Sequence, residues 1–240
     1  GISSTISLVD DALIEQMRRR ISEEAGEEFT AIGEREDDAR ARRITAYLDL
    51  LDRLVARQVA RLRASVFEAG SEITRYFELL PPSPLKALYE RMRRAGDDGE
   101  RAELQAALRE GVAPGAIDVN IMTKLDQDRF RRGGELVTQG SDAVTALRGY
   151  ARSGLRSSVV LSAGLNRRLF SYLGEFDDFF PDGAGEIRKR IILKVNDFRS
   201  AHLQGNLLAR LGLWVSEYRV ESGLNCGGHA FASNGELLPA

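Results

Sequence analysis

The sequence predicts an α/β protein: part of a (β/α) TIM-type barrel carrying a large all-helical insertion. Three observations predict it. From Gly115 onward, short β-branched apolar runs alternate with helical stretches, as β-α-β units and a parallel sheet require. Before that point, one helical pattern follows another. The first residues, "GISSTISLV", have β-forming composition and lead into a helix, so one β-α unit stands ahead of the helical block. The expected organisation is a first β-α element over 1–22, a helical insertion over 23–112, and barrel units over 113–240 that are incomplete at the C-terminal side.

The elements follow in order. "LVDDALIEQMRRRI" offers Asp10 as an N-cap and places Leu13, Ile14, Met17 and Ile21 on one helical face. A long helix is expected from near Asp38 to near Ala69. Its apolar residues Ile44, Leu48, Leu51, Val55, Val59, Leu62 and Val66 recur three or four apart. Its arginines are interleaved with acids, which favours an ordinary amphipathic helix over a nucleic-acid helix. "PPSPLKALYERMRR" starts a helix with Ser83 as cap and Pro84 at the first position. "DDGERAELQAALREG" reads as another, ended by Gly111. Strands are expected at 116–124, 157–164, 190–195 and 213–223. Helices separate them at 141–152, in "LNRRLFSYLGEF", and in "NDFRSAHLQGNLLARLG", the last with Asn196 or Asp197 as cap and Gly212 as stop. "YFELLPPSPLKALY" (76–89) suits an ordinary helix-helix connection better than a rigid elbow for a lid.

Composition narrows the classes. The chain has 240 residues, 43% hydrophobic and 29% charged, an ordinary globular balance. A net charge of −2 gives no global pull toward nucleic acid or an anionic membrane. No apolar run approaches the roughly 20 residues of a membrane span, and no signal peptide is visible. One cysteine and two histidines make no internal disulfide and a poor zinc site, so no metal is expected. The expectation is a cytoplasmic protein acting on a small molecule, with no nucleic-acid or membrane partner; a homo-oligomer is allowed. The chain starts at Gly1 and stops just after its most informative motif, so a piece of a longer protein is expected.

In parallel β/α proteins the chemistry sits where strands end. The polar strand-end residues are Asn120, Thr123 and Lys124; Ser162, Gly164 and Asn166; Lys194 and Asn196; and Glu217, Arg219, Glu221, Asn225, Cys226, Gly227, Gly228 and His229. Lys194, inside "IILKVND", is costly to bury unless it meets an anion. It is either a structural ion pair with Glu217 or Glu221, or a cation that steadies a negative cofactor ring or substrate. Gly227 and Gly228 let bare backbone approach a ligand, or else form a tight turn. His229 could act as a general base or hydrogen-bond a cofactor carbonyl. Cys226 reads better as a small loop residue than as a nucleophile, and His202 as a mid-helix residue that packs or faces solvent.

The order "VNIM", "VVLSAGLN", "IILKV" with its helix, then a strand ending in "ESGLNCGGH", resembles the nitronate monooxygenase family and the related flavin-dependent enoyl reductases. The resemblance covers roughly residues 1–22 and 115–232. It implies an FMN-binding (β/α) barrel and an oxidoreductase. It implies that Asn120 and Met122 lie beside the flavin, that Gly164 and Lys194 face it from strand ends, and that Gly227 and Gly228 lie against the ring or ribityl chain. His229 is then the candidate catalytic base, with Lys194 tuning the ring. Two other readings stay open: a barrel lyase or aldolase using Lys194 or Lys124, and a non-catalytic interaction protein that docks through its helical insertion.

Overall fold

The computed structural model describes residues 3–8, 10–123, 126–128, 140–162 and 164–221. In chain order its elements are β1 (Ser4–Ser7), α1 (Asp11–Ala25), α2 (Ala39–Ala64), α3 (Glu72–Glu78), α4 (Pro84–Arg94), α5 (Asp98–Gly111), β2 (Ile117–Ile121), α6 (Asp142–Arg152), β3 (Ser158–Leu161), α7 (Arg167–Leu173), β4 (Arg190–Val195), α8 (Phe198–Arg210) and β5 (Val215–Val220). The protein is α/β, and its five strands form one all-parallel sheet in the order β1-β2-β3-β4-β5.

The caps read at Asp10, Ser83 and Asp197 form as expected, whereas Ser141 makes no side-chain cap bond at the start of α6. Asp10 accepts the Leu13 amide at 2.7 Å, and Ser83 accepts that of Lys86 at 3.2 Å with Pro84 behind it. Asp197 accepts the Ser200 amide at 2.6 Å and so starts α8. The long helix is shorter than its apolar pattern suggests. It ends at Ala64, Gly70 turns the chain with φ 79°, and Ser71 caps the separate short helix α3. Periodicity alone missed α3, because its seven residues bury only Ile73, Thr74 and Phe77.

The chain divides into two compact units, one built on Leu51–Ala116 and the other on Ser4–Leu50 with the chain from Ile117 onward. In the helical unit, Ile73, Phe77, Tyr89, Met92, Leu104, Leu108 and Val112 make the core. The rings of Phe67, Phe77 and Tyr89 stack through it, with centroid distances of 5.8 and 5.5 Å.

The segment 23–50 belongs to the sheet unit. The first half of α2 buries Ala41, Ile44, Leu48 and Leu50, and the Thr45 hydroxyl donates to the Gly149 carbonyl of α6 at 2.8 Å. Buried arginines tie down the preceding loop. Arg18 donates to the Thr30 carbonyl at 2.7 Å, and Arg43 to the Ile32 carbonyl at 2.9 Å and to Asp11 at 3.0 Å.

Strand alternation gives the sheet two unlike faces. Val119, Ile121, Val159, Leu161, Ile191, Leu193 and Val195 are buried on one. The Tyr218 hydroxyl, on that face of β5, lies where a Cβ on Gly205 of α8 would sit, so α8 packs against the end of this half-exposed ring. The other face carries Thr5, Ser7, Asp118, Asn120, Ser158, Lys194, Glu217 and Arg219. A bulge between β4 and β5 decides the last two. Ile191 pairs with Val215 but Ile192 with Glu217, which turns Glu217 and Arg219 onto the face of Lys194.

That polar face is concave. In register, Arg219 lies three strands from Asp118 and four residues further along, roughly 19 Å on a flat sheet. Yet Arg219 Nη2 is 4.0 Å from Asp118 Oδ2. The reach of the two side chains covers roughly 10 Å of this gap, and curvature of the sheet toward the polar face closes the rest.

Candidate functional site

The strand C-termini on the concave face carry the candidate site. Asn120, one residue before the end of β2, donates from Nδ2 to the Ser7 hydroxyl of β1 at 3.1 Å. Its Oδ1 is buried and has no hydrogen-bond partner among the described residues. A buried acceptor left without a donor costs about 1–3 kcal/mol, so this atom is poised to receive an N–H or O–H.

Lys194 sits one residue before the end of β4. Its ammonium lies 3.1 Å from Glu221 Oε2, with both side chains about three-quarters covered. The Glu221 amide donates to the Val195 carbonyl at 2.8 Å, which holds Glu221 beside the lysine. Of the two acids expected as ion-pair partners, Glu221 is the one in contact. Glu217 instead accepts from Arg219 Nε. That hydrogen bond, aided by the charges of Glu217, Asp118 and Glu221, raises the Arg219 pKa above the ordinary guanidinium value.

Below this layer Asp118, 6% exposed, accepts the Ser158 amide at 2.8 Å and faces Arg219. Asp118 is a site-face residue that sequence reasoning passed over. Its signal was available: it stands two residues before Asn120 in "AIDVNIM", so alternation puts both on one face.

The loops after β2 and β3 brace each other. The Thr123 amide donates to Ser162 Oγ and its hydroxyl to the Ser162 carbonyl, both at 2.8 Å. The same hydroxyl lies 3.3 Å from the Gly164 carbonyl. Gly164 has φ 143°, a backbone conformation a side chain would resist, so glycine is needed there. Asn166 caps α7 through the Leu169 amide at 2.9 Å and donates to Asp126 at 2.8 Å, while Asp126 accepts the Ala143 amide of α6 at 3.0 Å. Met122 is half-buried directly after β2. Replacing Thr123 with valine keeps the shape but removes the hydroxyl donor, and is expected to cost about 1–2 kcal/mol, read as a lowered urea midpoint with unchanged slope.

The structure thus puts Asn120, Met122, Gly164 and Lys194 at one edge of one sheet. Lys124, Cys226, Gly227, Gly228 and His229 lie outside the described residues. His202 is solvent-exposed on α8, stacked on Phe198 and 3.0 Å from Asn206. Among the described residues no group of His, Cys, Asp and Glu is arranged to hold a metal ion, and no helix is long and apolar enough to cross a membrane.

Comparison of the chain with protein-family models, curated proteins and solved structures finds no match.

Proposed function

We propose that the protein is an FMN-dependent oxidoreductase of the nitronate monooxygenase type, acting on a small organic substrate at the C-terminal edge of a (β/α) barrel. Sequential strand order supports the barrel. With crossovers of one hand, that order stacks every helix on the same face and leaves the other to curl inward, whereas doubly wound sheets reverse their order. The polar, concave inner face is what a barrel lumen with a ligand at its mouth would present.

The observation that carries the functional reading is the pairing of an unsatisfied buried acceptor, Asn120 Oδ1, with the Lys194 ammonium on the same face at the same edge. A flavin ring fits this donor set: its ring N–H would answer Asn120, and its electron-rich edge would lie toward Lys194. FMN, when bound, supplies a two-electron acceptor for a substrate carbanion. In this reading Asn120 and Lys194 orient the ring and Lys194 offsets negative charge upon it. Gly164, Gly227 and Gly228 allow close backbone approach, Met122 packs beside the ring, and His229 removes a proton next to the substrate's electron-withdrawing group.

The imine-forming alternative has weaker support, because Glu221 engages the Lys194 nitrogen that such chemistry needs as a free amine. Purified protein is expected to show flavin absorption bands and to release FMN on denaturation. A colourless protein that also fails to bind added FMN would overturn the proposal.

A further inference from the structure

The Lys194–Glu221 pair is more than the neutralisation of a strand lysine. Glu221 stands at the C-terminal end of β5, and its backbone is anchored by the Val195 carbonyl. Any anionic or strongly accepting ligand group that seeks Lys194 must take the place of that carboxylate. Asn120 Oδ1, meanwhile, asks for a donor. In register, Asn120 and Lys194 are two strands and two residues apart, roughly 12 Å on a flat sheet and less on this curled face. Val160 and Ile192 lie between them on the same face, both buried.

We propose that Glu221 is a built-in competitor for Lys194, displaced when a flat heterocycle binds with an N–H donor toward Asn120 and an anionic or accepting edge toward the lysine. This rests on the flavin reading above and adds the residue that sets how strongly the ring is held. The carboxylate weakens binding by occupying the cation and by repelling the ligand's negative edge. It also keeps the ammonium paired when no ligand is present.

The test titrates the purified protein with FMN, followed by quenching of flavin fluorescence, in the wild type, Glu221→Gln and Lys194→Gln. Glu221→Gln is expected to tighten FMN binding about tenfold. Lys194→Gln is expected to weaken it. Unchanged or weaker binding in Glu221→Gln overturns the proposal, since Glu221 would then only brace the lysine. A second readout needs no flavin. Trinitrobenzenesulfonate, a flat anionic amine reagent, is expected to label Lys194 several-fold faster in Glu221→Gln than in the wild type, measured by peptide mass spectrometry, with Glu221→Ser moving the rate the same way. If no variant binds FMN, the flavin reading falls by itself and the labelling decides: faster labelling keeps the competitor role, and equal rates overturn it.

Discussion

Replacing Lys189 with alanine is expected to cost about 3–5 kcal/mol of stability, the range for removing one partner from a buried charged network. Lys189 is 0% exposed. Its ammonium donates to the Ser153 carbonyl at 2.7 Å and the Leu155 carbonyl at 3.0 Å, lies 3.3 Å from Asp178 Oδ2, and sits 5.2 Å from the centre of the Tyr150 ring. One side chain therefore ties the turn between α6 and β3 to the turn before β4. Alanine would orphan two buried carbonyls, leave Asp178 with only the more distant Arg188 at 3.6 Å, and open a cavity. Methionine would refill the space but not the hydrogen bonds, so Lys189→Met should lose less than Lys189→Ala. Urea melts of the three proteins check both the size and the order; a loss below about 1 kcal/mol in the alanine variant would show that the network matters little.

The same lysine gives a pH signature. Burial lowers its pKa below the ordinary 10.5, and the neighbouring Asp178 only partly opposes this. The folded protein then binds the Lys189 proton less tightly than the unfolded chain does. Below the folded pKa both states are protonated and the burial cost is carried in full. Between the folded pKa and 10.5 the unfolded state holds more protons, so the contribution of Lys189 to stability rises with pH. The neutral amine can still donate to both carbonyls. The stability gap between wild type and Lys189→Met is expected to widen as pH is raised toward 10.5, and a gap that narrows would contradict the lowered pKa.

Lys189 also marks where reading the sequence runs out. In "IRKRIILKV" it stands between Arg188 and Arg190 and looks like part of an exposed basic turn, whereas Lys194, embedded among apolar residues, looks buried. The structure reverses the degree: Lys189 is wholly enclosed and Lys194 about a quarter exposed. The enclosure comes from Ser153, Leu155 and Asp178, which are distant in sequence, and no local pattern reports it. Strand existence and helix caps were legible because they depend on neighbours a few residues away, as with Asp10, Ser83 and Asp197. The edge that gathers Asn120, Gly164 and Lys194 was legible because parallel strands end on one side. The bulge after Ile191 was not, although it decides that Glu217 and Arg219 join the concave face. Neither was the contact of Arg219 with Asp118, since it depends on how far the sheet curls.

The second large effect is expected at Gly149, in the middle of α6. On helix propensity alone, alanine there should gain up to about 1 kcal/mol. The structure predicts the opposite sign. A Cβ on Gly149 would lie 2.7 Å from both Cβ and Cγ2 of Ile44 and 2.8 Å from the Ala41 carbonyl oxygen. Two of these atoms belong to a fully buried β-branched side chain and the third to the α2 backbone, so none can swing aside. The bond from Thr45 to the Gly149 carbonyl shows the same close approach, because a side chain on one helix reaches the main chain of the other. Alanine must push α2 away from α6, which stretches this bond and loosens the packing around Ile44, Leu48 and Tyr150. Overpacking of this kind costs about 1–3 kcal/mol, and the rigid neighbours place Gly149→Ala toward the upper end. The control is Ile44→Ala, which removes the Cγ2 contact but keeps the contacts with the residue-44 Cβ and the Ala41 carbonyl. Alone it should destabilise by leaving a cavity, but combined with Gly149→Ala it should recover part of the loss, giving a non-additive cycle by thermal or urea melts. Strict additivity, or a Gly149→Ala variant more stable than the wild type, would mean that the two helices do not meet as closely as Gly149 and Ile44 indicate.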